Sequence, residues 1–301
     1  MTDSVLRVAR ADRIAYGIRA ETDAPRLGWL LRDHRLYAAY ALAQLEPAGF
    51  GLSSWWTCET PDGLALVSHS RGGLGDTTFT LGPADGVSAI LGIHPGPMRT
   101  FATTRPAHVD VLRRTHTLAT ARTMCRLHVT REAFAPVATG PHVVPLRGIH
   151  VRTLNRLYST EGASTAYQAH HIDAGCYFGV VSGERLVAVA GTHAISPRYG
   201  VAVVGNVFTH PGHRGRGYAT LATSAVTAAL LEPCPDVVLS VDPSNLPALR
   251  AYRQLGYVDA GEIVEAAARR RAGGVGSGLR RARARWRGRH EGLEMVRGSR
   301  S

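Results

Sequence analysis

The sequence predicts an α/β (α+β) protein in two units followed by a basic tail. Three observations carry this prediction. The chain has 301 residues, about two domains at roughly 150 residues each. Strand-like and helix-like stretches alternate along most of its length. A β-branched run, a glycine-rich loop and a long helical pattern succeed one another at 201–231. Hydrophobic residues make up 45% and charged residues 19%, the balance of a chain that buries a core, which excludes wholesale disorder.

In chain order, PRLGWLLRDHRLYAAYALAQL (25–45) sets Leu27, Leu30, Leu31, Tyr37, Tyr40, Leu42 and Leu45 at helical spacing. LALVSHS (64–70) and ARTMCRLHV (121–129) read as strands. PADGVSAILGI (83–93) and PAHVDVLRR (106–114) read as short helices entered on proline, where the missing N–H costs nothing. From about 141 a second unit begins. VVPLR (143–147) suggests a strand and GIHVRTLNRLYS (148–159) a helix. CYFGVVSGERLVAVAGTHAIS (176–196) suggests two strands joined by a Ser182-Gly183-Glu184 turn. AGGVGSG (272–278) has linker composition, and the Arg-rich LRRARARWRGRHEG after it reads as disordered by charge. The expected division is 1–140, 141–268 and a flexible tail at 269–301.

The formal charge of +12 belongs mostly to that tail, which holds 11 Arg against two acids and leaves +3 on the rest. No lysine occurs anywhere. Surfaces shaped for phosphate contact usually mix Lys with Arg, so the charge points away from a nucleic-acid partner. Cys58, Cys125, Cys176 and Cys234 lie far apart without a C-x-x-C pair, which argues against a zinc ribbon or a disulfide scaffold. The histidines offer no zinc spacing, and no metal is implied. With no apolar run near the roughly 18 residues that span a bilayer, and no signal-peptide core in MTDSVLRVARADR, the expectation is a soluble, cytoplasmic protein with no membrane partner.

The stretch that carries chemistry is VAVVGNVFTHPGHRGRGYATLATSAVTAALL (201–231). Glycines at 212, 215 and 217 separate the strand pattern from a helix with Leu221, Ala222, Val226, Ala229 and Leu230 on one face. Strand, glycine loop and helix start together cradle phosphates: successive N–H groups point at the oxygens and the helix dipole favours the anion. Arg214 and Arg216 add guanidinium donors. Neither the dinucleotide nor the P-loop spacing is present. A plain glycine turn is the bland alternative.

Further along, DVVLSVDPSNLPALRAYRQLGYVDAGE (236–262) reads as strand, loop, helix, glycine stop and strand. Asn245 caps the helix, Pro247 sits in its first turn and Gly256 follows its end. Ala248, Tyr252 and Leu255 share one face.

R-x-x-G-x-A at Arg214, Gly217 and Ala219, followed by N-x-x-A-x-x-x-Y-x-x-x-G-[FY] at Asn245, Ala248, Tyr252, Gly256 and Tyr257, resembles two consecutive blocks of the GNAT acyltransferase superfamily. The resemblance covers roughly 141–265. G-N-V-F-T-H-P before the loop is similar to a bacterial subgroup in which a degenerate GNAT-like half precedes the active one, and YALAQLEP (40–47) resembles the early part of that first half. RGGLG (71–75) is a decoy, with Leu74 where the loop needs glycine and an extended-looking DTTFTLG behind it.

The resemblance implies a GNAT fold: a mixed, mostly antiparallel sheet flanked by helices, in two tandem copies. It implies acetyl-CoA as co-substrate and a small-molecule or peptide amine as acceptor. Val207, Phe208 and Thr209 would pair with the cofactor along a strand edge, Arg214, Gly215, Arg216, Gly217, Tyr218 and Ala219 would hold its phosphates, and Asn245 its pantetheine arm. Tyr252 would protonate the departing thiolate, worth roughly 10²–10⁴-fold; its bland alternative is a packed ring. Many family members carry a Glu on the strand before the loop, whereas VAVVGNVFTH holds no carboxylate and Asn206 cannot take a proton. His193, His210, His213 and Asp242 remain open as bases, as does water. Two other readings stay open: a coenzyme A-binding regulatory module without turnover, and nucleic-acid binding through the Arg tail.

Overall fold

The computed structural model describes residues 6–8, 16–72, 75–138, 140, 142–162 and 167–271. The linker and Arg-rich run from 272 onward and part of the RGGLG decoy lie outside them. The described strands are β1 (Leu6–Val8), β2 (Tyr16–Glu21), β3 (Ser53–Thr60), β4 (Gly63–Ser70), β5 (Thr77–Leu81), β6 (Arg99–Thr104), β7 (His116–Thr130), β8 (Val143–Leu146), β9 (Tyr177–Ser182), β10 (Arg185–Ser196), β11 (Val201–Thr209), β12 (Asp236–Val241) and β13 (Val258–Arg270). The described helices are α1 (Ala24–Leu31), α2 (Ala39–Ala43), α3 (Pro47–Phe50), α4 (Ala84–Ile93), α5 (Val109–Thr115), α6 (Val151–Tyr158), α7 (Ala169–Asp173), α8 (Tyr218–Leu231) and α9 (Leu246–Gln254). No described helix is long and apolar enough to cross a membrane.

Two stretches differ from expectation. The 25–45 pattern is not one helix: α1 ends at Leu31, a 3-10 turn covers Arg32–His34, and α2 starts only at Ala39. At the break Arg35 donates to the Gly200 carbonyl (3.0 Å) and pairs with Asp236, so a distant partner interrupts a locally helical sequence. The tail boundary at 269 is also displaced, because β13 continues through Arg269 and Arg270, pairing with Arg99 and His116.

All the strands join one sheet in the order β1-β2-β3-β4-β5-β6-β13-β7-β12-β11-β10-β9-β8. Every pairing is antiparallel except β5 with β6 and β11 with β12. The succession strand, helices, three strands, helix, strand, helix, strand occurs twice, first over β2–β7 and then over β8–β13. The two runs interlock at their ends. Cys125–Thr130 of β7 pair with β12, while Val264–Arg269 of β13 pair with β6. Each half is therefore closed by the other's last strand.

Four apolar clusters follow from the alternating strand pattern. α8 and α9 cover one face of the second half with Ala222, Val226, Leu230, Leu249 and Tyr252. α1 and α2 lie on the opposite face, where Leu27, Leu31 and Leu42 join Val201, Val203 and Val238 to Trp55, Leu66 and Phe79 of the first half. α4 and α5 cover the outer face of the first half, and α6 packs on β8–β10.

Candidate active site

β11 and β12 pair only over Val201–Val203 and Asp236–Val238. Beyond Val203 the two strands part, and Val204–Thr209 has no partner strand on that side. Val207 packs toward α8 and Phe208 toward α6, as alternation along a strand requires, while the backbone edge between them stays open. Val207–Thr209 therefore have a backbone edge that β12 does not pair with.

The loop His210–Gly217 leads to the start of α8. Gly215 and Gly217 both hold φ 77°, a region that costs an L-residue roughly 1–2 kcal/mol, and a Cβ on either would enter open space. Gly217 caps α8 without a side chain, so the first N–H groups, those of Tyr218 and Ala219 included, keep the anion-binding character of a helix start. Thr209 Oγ1 and His213 Nδ1, on either side of His210, are buried without a hydrogen-bond partner. These features fit a bound pyrophosphate. The arginines are arranged differently from expectation: Arg214 turns to Glu161 (2.5 Å) and to the Thr209 carbonyl (3.3 Å), and Arg216 is exposed.

α9 places Tyr252 in the apolar cluster that also takes Ala222 and Val226 of α8. Its ring lies 6.0 Å from the Tyr257 ring, and its hydroxyl makes no hydrogen bond to a described residue. Burial pushes that hydroxyl up to about 12. Asn245 Oδ1 accepts from the Ala248 N–H (3.2 Å) and caps α9. Ala248 is partly buried, Leu255 buried, and both face α8 with Tyr252. Gly256 follows with φ 90°.

Residues 145–257 match the model of the Acetyltransferase (GNAT) family. This segment is similar to the GNAT acetyltransferases; the match covers less than half of the chain. A GCN5-related N-acetyltransferase from Sphaerobacter thermophilus is similar in fold, with TM-score 0.55 at 16% identity over 88% of this chain and 98% of that one. A tandem GNAT protein from the clavulanic acid biosynthesis pathway gives TM-score 0.50 at 12% identity over 85% and 100%. A GNAT-family acetyltransferase from Colwellia psychrerythraea gives 0.50 at 13% over 83% and 98%. No curated protein matches the chain.

The second half contains a feature that no motif announced. Asn206 sits in a bulge between β10 and β11 with φ 56°, a conformation that Asn tolerates better than most residues. Three tyrosines hold it. Tyr158 donates to its carbonyl (2.5 Å), Tyr167 donates to Oδ1 (2.7 Å), and Nδ2 donates to the Tyr177 hydroxyl (2.9 Å). Tyr158, Tyr167 and Tyr177 are spread over α6, the α6–α7 connection and β9, so no local spacing links them. Burial raises all three hydroxyls above their ordinary value, so Tyr158 and Tyr167 stay donors to Asn206, while Tyr177 accepts from it and donates to the Thr192 carbonyl.

The candidate bases separate. Asp242 accepts from Ser244 N–H (2.9 Å) and Oγ (2.6 Å), bonds that lower its pKa and spend it on the turn. His210 Nδ1 accepts from the Gly212 N–H (3.1 Å), which shapes the loop. His193 lies on the sheet face away from α8, its Nδ1 3.2 Å from the Tyr40 hydroxyl. Tyr40 belongs to the first half, as does Arg126, which reaches the same recess from β7. In the sequence Tyr40 stands out only as a position in the 25–45 helical pattern and the start of YALAQLEP, and Arg126 only as one of two arginines in strand-like ARTMCRLHV. Among the described residues no group of three or more His, Cys, Asp or Glu could hold a metal.

Proposed function

We propose that the protein is an acetyl-CoA-dependent N-acetyltransferase that acts on a small-molecule or peptide amine. The observation that carries this is one juxtaposition: the edge Val207–Thr209, unpaired beyond Val203, runs through the loop into the start of α8, which has two left-handed glycines and no side-chain cap. In the reaction the amine nitrogen bonds to the thioester carbonyl carbon, the C–S bond breaks, the sulfur leaves with the electron pair, and the proton lost from nitrogen passes to water. N–H groups from Gly215 to Ala219 hold the pyrophosphate, joined by Arg214 once it releases Glu161, and by Arg216. The Val207–Thr209 edge pairs with the pantetheine arm, assisted by Asn245.

Tyr252 supplies a proton or hydrogen bond to the sulfur. A tyrosine raised to about 12 does not give its proton completely to a thiolate whose conjugate thiol sits near 8.5. It therefore acts mainly by hydrogen bonding the charge as it develops, at the lower end of the roughly 10²–10⁴-fold available to such groups. The first half takes no coenzyme A. Release of free thiol from acetyl-CoA across a panel of amines tests the reading. Cofactor binding with no release on any amine would instead support a coenzyme A-binding module without turnover, the reading that the lack of a carboxylate in VAVVGNVFTH favours.

A further inference from the structure

On the sheet face opposite α8, the two halves of the chain meet around a buried guanidinium. Arg126 on β7 is 1% exposed. Its Nε donates to the Leu36 carbonyl (3.0 Å) and Nη1 to Ser240 Oγ (2.9 Å). Nη2 is buried and has no hydrogen-bond partner. Among the described residues no carboxylate oxygen comes within 4.0 Å of its nitrogens. Buried donors are satisfied in the great majority of cases, and an unpaired buried ion costs several kcal/mol. A donor left open in this way needs a partner.

The surroundings of Arg126 show where that partner comes from. Ser240 lies on β12 beyond its last pair with β11, on the open part of the gap. Tyr40 sets its ring centroid 5.1 Å from the guanidinium carbon and meets His193. His193 abuts Gly205, where an added Cβ would come within 2.8 Å of the imidazole. These side chains rim the gap on the face away from the phosphate loop, the side from which an acceptor must approach. Glu265 on β13 reaches the same recess, and burial raises its carboxyl against the pull of Arg126 and Ser240. Tyr40 is pushed up to about 12 by burial and its hydroxyl meets His193 Nδ1. Arg126 is the cation of this recess and Glu265 the carboxyl near it.

We propose that Arg126 binds a carboxylate of the acceptor, and that the acceptor is a small amine bearing a carboxylate, of amino-acid type. This rests on the transferase reading above and names its substrate class. One guanidinium with no second cation suits a monoanion, and the nearby Glu265 disfavours a dianion such as phosphate. β7 lies one strand spacing, about 4.8 Å, from β12, so the carboxylate and the attacking nitrogen are separated by a short carbon chain.

The test uses the full-length protein with acetyl-CoA and pairs of probes that differ only at the carboxylate: glycine and glycinamide, β-alanine and its amide, and larger amino acids with theirs. A charge-assisted bond of this kind is worth about tenfold to a hundredfold, so kcat/KM should favour each acid over its amide by that factor. Arg126→Gln should bring the ratio toward one, and Arg126→Lys should restore part of it. Equal rates on acid and amide, or a preference that survives Arg126→Gln, overturn the proposal. If Arg126→Gln does not fold, the wild-type ratio decides alone. Turnover confined to amines without a carboxylate overturns the acceptor class and leaves the transferase reading standing. If no amine is turned over, the transferase reading fails, and calorimetry of the same pairs with coenzyme A present still decides on Arg126: acid-selective binding supports it, and its absence overturns it.

Discussion

Between β11 and α8 the chain takes eight residues, His210–Gly217; between β5 and α4 it takes two, Gly82 and Pro83. Both connections join a parallel strand pair through a helix. In the second half the strands part beyond three residue pairs and leave the gap open. In the first half, side chains stitch the strands together. Thr80 Oγ1 bonds Thr104 Oγ1 (2.5 Å) and His108 Nδ1 (2.9 Å), and His108 Nε2 donates to the Gly82 carbonyl (2.8 Å). Nearby, Thr78 links Thr100 (2.9 Å) to His69 Nδ1 (2.9 Å), and His69 Nε2 donates to the His94 carbonyl (2.9 Å). α5, the counterpart of α9, carries no tyrosine. A phosphate site on this topology requires N–H groups without partners and room to approach them. The start of α4 is also without a side-chain cap, but the first half lacks the room, because its connection is short and its gap is filled. RGGLG precedes β5 instead of following it, so even a perfect glycine motif there would lie at the wrong end of the strand.

Interlocking at β7 and β13 makes the comparison breakable at its root. Chains cut after residue 140 lack β13, and chains begun at 141 lack β7, so each fragment alone should fail to show a cooperative unfolding transition, while the two co-expressed should regain it. A fragment with native-like cooperativity on its own would show that the exchanged strands are dispensable.

The glycines of the two connections should fail differently. Gly82 has φ 89°, and a Cβ there would overlap the Leu64 carbonyl oxygen, so Gly82→Ala should cost about 3–5 kcal/mol in denaturant unfolding, from overpacking and left-handed strain together.

The buried histidines of the first half predict its response to acid. Burial lowers His69 to about 4 and lowers His108 as well. An unfolded histidine takes up its proton near 6.5 while the folded one refuses it until about 4. Stability is therefore complete above pH 6.5 and falls as pH drops toward 4, by about 3 kcal/mol for His69 alone. Denaturant midpoints across that window should show the loss, and His69→Gln should flatten it.

In the second half, Tyr252→Phe should lower kcat by about a hundredfold with coenzyme A affinity near wild type, since the bond matters only as charge develops on sulfur. The deficit should shrink as pH rises. Full kcat at neutral pH would leave Tyr252 a packing residue. Arg214→Ala with Gly217→Val should weaken acetyl-CoA at least about tenfold by calorimetry, the loss of one charged contact and of cradle geometry. The cost in stability should be small, because a Cβ at 217 meets open space and only the φ strain remains. Wild type should bind one coenzyme A per chain; two would return the first half to the active class.

Local signals were legible where the backbone reports on itself. The loop glycines, the Asn245 cap and the Gly256 stop placed β11–α8 and β12–α9 because periodicity and caps act within a few residues. Tyr252 could be assigned to the core-facing side of its helix by spacing alone. What the sequence by itself determined, then, was the succession of elements and the GNAT motifs on them. Only the tertiary structure decided which strands are neighbours, that β7 and β13 change places, and that Arg35 breaks the 25–45 helix against Asp236. It alone caged Asn206 between tyrosines from three segments, and set Arg126 beside Ser240, 114 residues away, under Tyr40. Those outcomes depend on which surfaces bury one another and which buried charges find partners, and neither quantity exists until distant parts of the chain have come together.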